Sequence, residues 1–300
     1  MFILSFEVLF MHVHYFFDPD TSTLTYVVYD EHTNDAVIID PVLDFDQASG
    51  RIEDRSVEKV VTFIKEKGLK PHYILETHAH ADHLSSSQLL KQIYPQAKVG
   101  ISSRIKTVQS TFKDVFMMDE LKTDGSDFDF LFEDNKEFFA GSLPILPLPT
   151  PGHTPACTSF LIGSNLFSGD ALFMPDYGTG RCDFPKGSAS QLYDSIAALY
   201  ELPESTNVFV GHDYQPGGRD LLFQTTIGES KKSNIHLKSS TSREEYIAFR
   251  EGRDKTLKAP KLLFPSLQAN IMAGHLPKKQ KNGVSYLQLP LKLSLKMGSL

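Results

Sequence analysis

Three histidines and an aspartate lie within six positions of one another, in the segment Thr-His-Ala-His-Ala-Asp-His at residues 77–83. The donors are His78, His80, Asp82 and His83. Alternate side chains of an extended chain point to one side, so His78 and His80 can share a face. Burying these groups together is costly unless an ion binds them, and a divalent metal removes that cost. The segment therefore predicts part of a metal site.

Three further donors each follow a strand-like run. His153 lies in a turn rich in proline and glycine, Asp170 follows residues 165–169, and His212 follows residues 207–211. Taken alone, each is typical of a turn former or a surface residue. Donors at four strand ends together favour a metal site on the rim of a sheet, where rigid elements hold ligands in place.

The elements that must position these donors are strands with helices interspersed. Residues 24–39 predict a hairpin, and residues 56–68 predict a helix with Ser56 as its N-cap. A second helix is expected over 84–93, and the acidic and aromatic segment 119–135 is interpreted as a solvated turn with apolar anchors. This pattern predicts an α/β protein with two packed sheets and the helices outside.

Composition excludes several classes of function. The chain has 300 residues, with 30 Lys and Arg against 37 Asp and Glu, and a net charge of −7. This balance lacks the excess of basic residues that binds the phosphate backbone of nucleic acids. No apolar run reaches the length of a membrane span. The two cysteines, Cys157 and Cys182, favour a reducing, cytoplasmic location, with Cys182 a packed residue rather than a reactive thiol.

The domain organisation expected is one domain over residues 11–300. The first ten residues are apolar but lack the features of a signal peptide. We interpret them as an N-terminal extension or an added strand. No repeat or low-complexity linker divides the rest.

The seven donors resemble the HxHxDH motif and the separate His, Asp and His of the metallo-β-lactamase superfamily. The resemblance implies an αββα sandwich, two mixed β-sheets flanked by helices, with the metal at one edge between the sheets. It covers residues 12–225 as a core, with residues 226–300 as an extension packed on it.

Within that superfamily, four stretches are most similar to persulfide dioxygenases and bacterial β-lactamase-hydrolase-like proteins. They are residues 75–84, 150–158, 169–185 and 211–214. The resemblance implies one Fe(II) per chain, bound by His78, His153 and Asp170. Glutathione persulfide would then be oxidised with O₂ to sulfite and glutathione. The remaining donors would orient the ligands and handle protons; they are His80, Asp82, His83 and His212.

The alternative is a binuclear hydrolase of glutathione thioesters, similar to glyoxalase II. It would hold two Zn(II) per chain, with His80, Asp82, His83 and His212 as direct ligands. Every ligand for both functions is present, so the ligand inventory leaves both open. The stretches 180–183 and 211–214 favour the dioxygenase. A structural metal module without turnover is disfavoured, because closed zinc sites use paired cysteines that this chain lacks.

Three residues are candidates for substrate binding. Arg181 could bind a glutathione carboxylate through its planar guanidinium, or it could brace its own loop. The alternative is that Arg181 only forms an ion pair at the surface. Tyr177 and Tyr214 could line the pocket or simply pack. A rhodanese-type sulfurtransferase would be a separate protein, and the sequence leaves the oligomeric state open, a homodimer included.

Overall fold

The computed structural model describes residues 11–291, so the extension predicted for residues 1–10 lies outside the described residues. Fifteen strands occur in this range. In chain order they are Met11–Asp18 (β1), Thr23–Asp30 (β2), Asp35–Ile39 (β3), Val42–Asp46 (β4), Arg51–Glu53 (β5), Lys70–Leu75 (β6), Leu84–Ser85 (β7), Lys98–Ser102 (β8), Phe130–Phe132 (β9), Phe138–Ala140 (β10), Leu143–Pro149 (β11), Thr158–Ile162 (β12), Asn165–Phe167 (β13), Asn207–Phe209 (β14) and Gln224–Thr226 (β15).

Seven α-helices and one 3₁₀ turn, Pro216–Gly218, accompany the strands of residues 11–291. The helices are Arg55–Lys67 (α1), Ser87–Ile93 (α2), Ile105–Val115 (α3), Ala189–Leu199 (α4), Ile227–Ser233 (α5), Arg243–Asp254 (α6) and Leu263–Asn270 (α7). None of these helices is long and apolar enough to cross a membrane.

Two six-stranded mixed sheets form the centre of the molecule. The first has the order β1-β2-β3-β6-β8-β9 and the second the order β10-β11-β12-β13-β14-β15. In the first sheet β3, β6, β8 and β9 are parallel, and in the second sheet β13 and β14 are parallel. A small three-stranded sheet, β5-β4-β7, lies beside them. The two mixed sheets confirm the predicted architecture.

The core divides into two large clusters because strand side chains alternate between faces. In β3, Val37 and Ile39 belong to the cluster shared with the second sheet and α4. Ala36 and Ile38 belong to the cluster shared with α1, α2 and α3. Helices therefore cover the outer face of the first sheet, and α4 packs with the second sheet.

Local details differ from the sequence predictions in three places. The N-cap of α1 is Asp54, not Ser56; Ser56 is in the helix and donates its N–H and hydroxyl to the carboxylate of Asp44. Leu84 lies in β7, which pairs with β4, so α2 begins only at Ser87. The segment 119–135 is not wholly a turn, because β9 adds its apolar side chains to the edge of the first sheet.

Candidate metal centre

All seven predicted metal donors lie together at one edge of the sandwich. The first four follow β6 in residues 76–85, which we call the metal loop. The other three follow β11, β13 and β14, strands that run in one direction, so their carboxyl ends meet at the same edge. Two backbone hydrogen bonds join the sheets there: Thr158 N–H to Thr77 O at 3.0 Å and Leu24 N–H to Gly211 O at 2.9 Å.

The donors form two adjacent groups. Within each group, the ligand atoms lie within 4.8 Å of one another. The first group is His78, His153 and Asp170, and the second is His80, Asp82, His83 and His212.

Asp170 faces both groups with different oxygens. Its Oδ2 lies 3.8 Å from Nε2 of His78 and 3.5 Å from Nε2 of His153. Its Oδ1 lies 3.3 Å from Nε2 of His212. The carboxylate therefore stands between the two groups, so its position is compatible with one ion or with two.

The chemistry of the donors fits a bound metal. Several of their atoms are buried without a hydrogen-bond partner: Nε2 of His78, Nδ1 of His80, Nε2 of His83, Oδ1 of Asp170 and Nε2 of His212. Buried polar atoms are normally satisfied. Two atoms that each bind one ion at about 2.1 Å stand roughly 3 to 3.5 Å apart, as several of these pairs do. These atoms belong to both groups, so a cation at each group would satisfy them.

The outward nitrogen of each imidazole is held by the protein, which fixes the ring and its tautomer. Thr77 donates its hydroxyl to Asp40 at 2.8 Å, so this hydroxyl accepts from Nδ1 of His78 at 3.0 Å. His80 donates from Nε2 to Asp40 at 3.0 Å. His153 donates from Nδ1 to the carbonyl of Arg181 at 2.7 Å. The second nitrogen of each of these three rings is left for a metal.

Two buried carboxylates beneath the centre, Asp40 and Glu76, escaped the sequence analysis. Glu76 accepts from the hydroxyls of Ser85 and Ser87 through Oε1, while its Oε2 lies 3.3 Å from Nε2 of His80. Asp40 had a signal that could have found it, since it directly follows β3, as Asp170 follows a strand. Glu76 had the same signal, since it directly follows β6.

Burial controls the protonation of the centre. It lowers the pKa of His78 well below its usual value, and burial together with nearby His80 lowers the pKa of His83 to about 3. Burial would also lower the pKa of His80, but the charges of Asp40 and Glu76 outweigh it and raise that pKa well above its usual value. His78 and His83 are therefore held neutral, the form that binds a metal.

Gly169 allows the two sheets to approach at the centre. Its φ of +50° is left-handed, and a Cβ there would lie 2.7 Å from the hydroxyl oxygen of Thr77. A side chain at this position would push Asp170 away from the metal loop. The lack of a side chain at residue 169 therefore lets Asp170 approach the other donors.

A cavity of about 370 Å³ is lined by His153 and Asp170 of the first group and by Asp82 of the second. Tyr177, Arg181 and Tyr214, the three predicted substrate residues, all line it. Tyr214 stacks on Tyr177 with ring centroids 4.6 Å apart and on His212 at 5.5 Å. The structure thus brings all three beside the metal donors.

The guanidinium of Arg181 is already engaged. It binds both oxygens of Asp183 at 2.6 Å each and donates to the carbonyl of Lys258 at 2.8 Å. The carbonyl of Arg181 accepts from His153. This is the geometry of a residue that braces its loop beside a metal donor.

Part of the cavity wall comes from the C-terminal segment, residues 226–291. Exposed Arg253 and Lys261 line the mouth, as does the exposed acid Asp20, whose carboxylate lies 3.6 Å from Arg55. Buried Arg250 binds Asp254, which also accepts from the N–H of Cys182. Residues 248–257 resemble the bacterial β-lactamase-hydrolase-like proteins, but only the packing of the segment shows that these side chains lie at the cavity.

Both cysteines are unpaired and buried. Burial raises the pKa of the Cys157 thiol to about 12 and raises that of Cys182 as well. Neither thiolate is favoured, which agrees with the expectation that Cys182 is a packed residue.

Comparison with known proteins supports the same interpretation of the centre. The sequence model of the metallo-beta-lactamase superfamily matches residues 18–212. "Glyoxylase B2" of Dictyostelium discoideum is 48% identical over 93% of this chain and 96% of its own length. A "Beta-lactamase hydrolase-like protein" of Agrobacterium fabrum is 45% identical over 93% of this chain, which spans only 64% of that relative.

Dioxygenase relatives are more distant in sequence but close in structure. The human mitochondrial "Persulfide dioxygenase ETHE1" is 30% identical over 77% of both chains. The crystal structure of ETHE1 from Myxococcus xanthus is 35% identical, with a TM-score of 0.71, and covers 88% of this chain and 100% of its own. The resemblance seen in the sequence is confirmed at the level of the family and of its persulfide dioxygenase group.

Proposed function

Because this chain belongs to the metallo-beta-lactamase superfamily, we propose that it is a persulfide dioxygenase with one Fe(II). The observation that carries the proposal is the group of His78, His153 and Asp170, of which His153 and Asp170 line the cavity. Two histidines and one carboxylate with open positions are typical of non-haem Fe(II) sites that use dioxygen. The overall reaction converts a persulfide, O₂ and water to a thiol and sulfite, with the release of two protons.

The residues of this chain have distinct roles in the proposal. Bound iron would supply the redox chemistry that joins dioxygen to the sulfane sulfur. His78, His153 and Asp170 would hold it. His80, Asp82, His83 and His212 would orient the ligands and handle protons next to it.

The cavity suits glutathione persulfide. Glutathione carries two carboxylates and one ammonium group. Arg253 and Lys261 offer cations at the mouth and Asp20 offers an anion, so opposite charges can meet at both ends of the peptide. Arg181 braces the wall between mouth and metal, and Tyr177 and Tyr214 shield the sulfur end from water.

A binuclear zinc hydrolase of glutathione thioesters is the second candidate, and specific observations favour it. His80, Asp82, His83 and His212 form a group of their own, and Asp170 lies between the groups. Relatives with 45% and 48% identity carry hydrolase-like or glyoxylase names. A hydroxide between two ions would attack the thioester in that case.

One experiment separates the two candidates. Protein expressed in medium with iron and zinc is analysed for metal, then assayed for oxygen uptake with glutathione persulfide and for hydrolysis of S-lactoylglutathione. We expect about one iron per chain, oxygen uptake and sulfite formation. Two zinc ions per chain with thioester hydrolysis and no oxygen uptake would overturn the dioxygenase proposal.

A further inference from the structure

The metal loop is fastened to the C-terminal segment by the amide of one residue, Asn270, at the end of α7. Its Nδ2 donates to the carbonyl of His80 at 2.9 Å and to that of His83 at 2.8 Å. Its Oδ1 accepts from the N–H of Ser85 at 2.9 Å. The side chain is buried, and all three of these hydrogen bonds go to the metal loop.

The backbone that follows Asn270 packs tightly against the same loop. Gly274 has a φ of +81°, and a Cβ there would lie 2.9 Å from the carbonyl oxygen of Ser85. Gln88, in α2, donates to the carbonyl of Ala273 at 3.2 Å. The close approach and the hydrogen bonds fix the position of α7 relative to the metal donors.

The metal loop is thus anchored at both ends. At its start, Asp40 accepts from the N–H and the hydroxyl of Thr77 at 2.7 and 2.8 Å. At its end, Asn270 holds the backbone of residues 80–85. His78, His80, Asp82 and His83 all lie between Thr77 and Ser85, so loss of either anchor would let four donors move.

We propose that Asn270 is a positioning residue for the metal centre. It lies outside residues 18–212, the part that matches the family model, so the C-terminal segment would be part of the metal-binding machinery. The inference rests on the proposed function only in requiring that an ion be bound there, whether iron or zinc. Partners that hold metal ligands commonly change metal affinity by about 10- to 100-fold when mutated.

The same helix supplies a matched control. Gln268 is also a buried amide with three hydrogen bonds, to the carbonyls of Phe264 and Gln288 and from the N–H of Gln288. None of these partners belongs to the metal loop. Asn270→Asp and Gln268→Glu each replace an NH₂ group that faces two carbonyls by an oxygen, so both introduce the same repulsion at one helix.

The test uses the full chain stripped of metal. Each protein is titrated with Co(II) against a competing chelator, with the visible absorption of bound Co(II) as the signal, and thermal unfolding of the metal-free proteins is measured alongside. We expect both variants to unfold at lower temperature. Only Asn270→Asp should lose about tenfold or more in Co(II) affinity and shift the absorption band.

Two results would overturn the inference. One is wild-type Co(II) affinity in Asn270→Asp, and the other is an equal loss of affinity in Gln268→Glu. If the charged variants do not fold, Asn270→Ala and Gln268→Ala are compared by the same criteria. Wild-type protein that binds no Co(II) would instead refute the proposed metal centre itself, which separates the two failures.

Discussion

The metal loop and residues 177–183 both line the cavity, and their polar atoms differ in whether they have hydrogen-bond partners. In the metal loop, ring nitrogens of His78, His80 and His83 are buried without hydrogen-bond partners. In residues 177–183, the polar groups are engaged: Thr179 donates to His236 and pairs with the hydroxyl of Tyr246 at 2.8 Å. One wall is therefore suited to bind an ion and the other to hold a fixed shape.

This difference indicates which wall of the cavity carries out the chemistry and which wall recognises the substrate. Unsatisfied buried donors are costly without a ligand, so the metal loop is the reactive wall. The polar groups of the opposite wall already form hydrogen bonds with α6 and the chain around it. The charged side chains at the mouth are therefore the groups of this wall that can adjust to a substrate. Changes in the two walls should consequently have different signatures.

The largest effect is expected from Asp170→Ala, because this carboxylate faces both donor groups. The variant should lose bound metal and all activity while remaining folded, as checked by elemental analysis and circular dichroism. Asp30→Ala is the control, a buried acid at the end of β2 that accepts from His32, Thr33 and Ser142. Equal metal content in Asp170→Ala and wild type would remove Asp170 from the centre.

His153→Ala and His212→Ala sharpen the comparison within the metal centre. With one iron held by the first group, His153→Ala should abolish iron binding, whereas His212→Ala should keep most of the iron and lose turnover. Elemental analysis of both proteins gives the answer. Severe metal loss in His212→Ala would count heavily for the binuclear alternative.

Arg250→Met tests whether the opposite wall depends on its buried ion pair. Asp254 would keep a buried charge without its cation, which typically costs about 3–5 kcal/mol of unfolding free energy. The exposed pair of Arg243 and Asp194 is the control, and Arg243→Met should cost far less, because exposed ion pairs contribute little to stability. Denaturant titrations of both variants measure the difference, and similar losses would contradict a structural role for the buried pair.

Arg253→Ala and Lys261→Ala should have the smallest effects. Each removes a cation from the mouth without touching the metal donors, so KM for glutathione persulfide should rise about three- to tenfold with kcat nearly unchanged. The increase should shrink at high salt because exposed charges are screened. Lys278→Ala, at a cation paired with Glu120 away from the cavity, serves as control. A fall in kcat without a change in KM would argue against a role in binding.

Much of the site was predictable because its signals are local. The hairpin of β2 and β3 and helix α1 follow from alternation and from periodicity over a few residues, and Gly68 ends α1 with a φ of 65° as expected. The donors gather at one edge because each follows a strand. Where local signals conflicted, as at Leu84, pairing with β4 outweighed the helical spacing.

Other features depend on contacts between distant parts of the chain. Arg253 and Asn270 are not recognisable as functional residues from their type and spacing, and their importance comes from what packs beside them. Arg181 was identified from its residue type, yet its pairing with Asp183 and the carbonyl of Lys258 depends on the approach of the C-terminal segment.

The amino-acid sequence alone determined the donor set, the family and the edge of the sandwich at which the donors meet, since residue type and strand ends are written in the order of the chain. Tertiary structure decided how far apart the two donor groups stand, which nitrogen of each imidazole faces inward, and which remote side chains support them. Hydrogen bonds and burial join residues as far apart in the chain as Asn270 and His80, which are 190 positions apart, and no local pattern records such contacts.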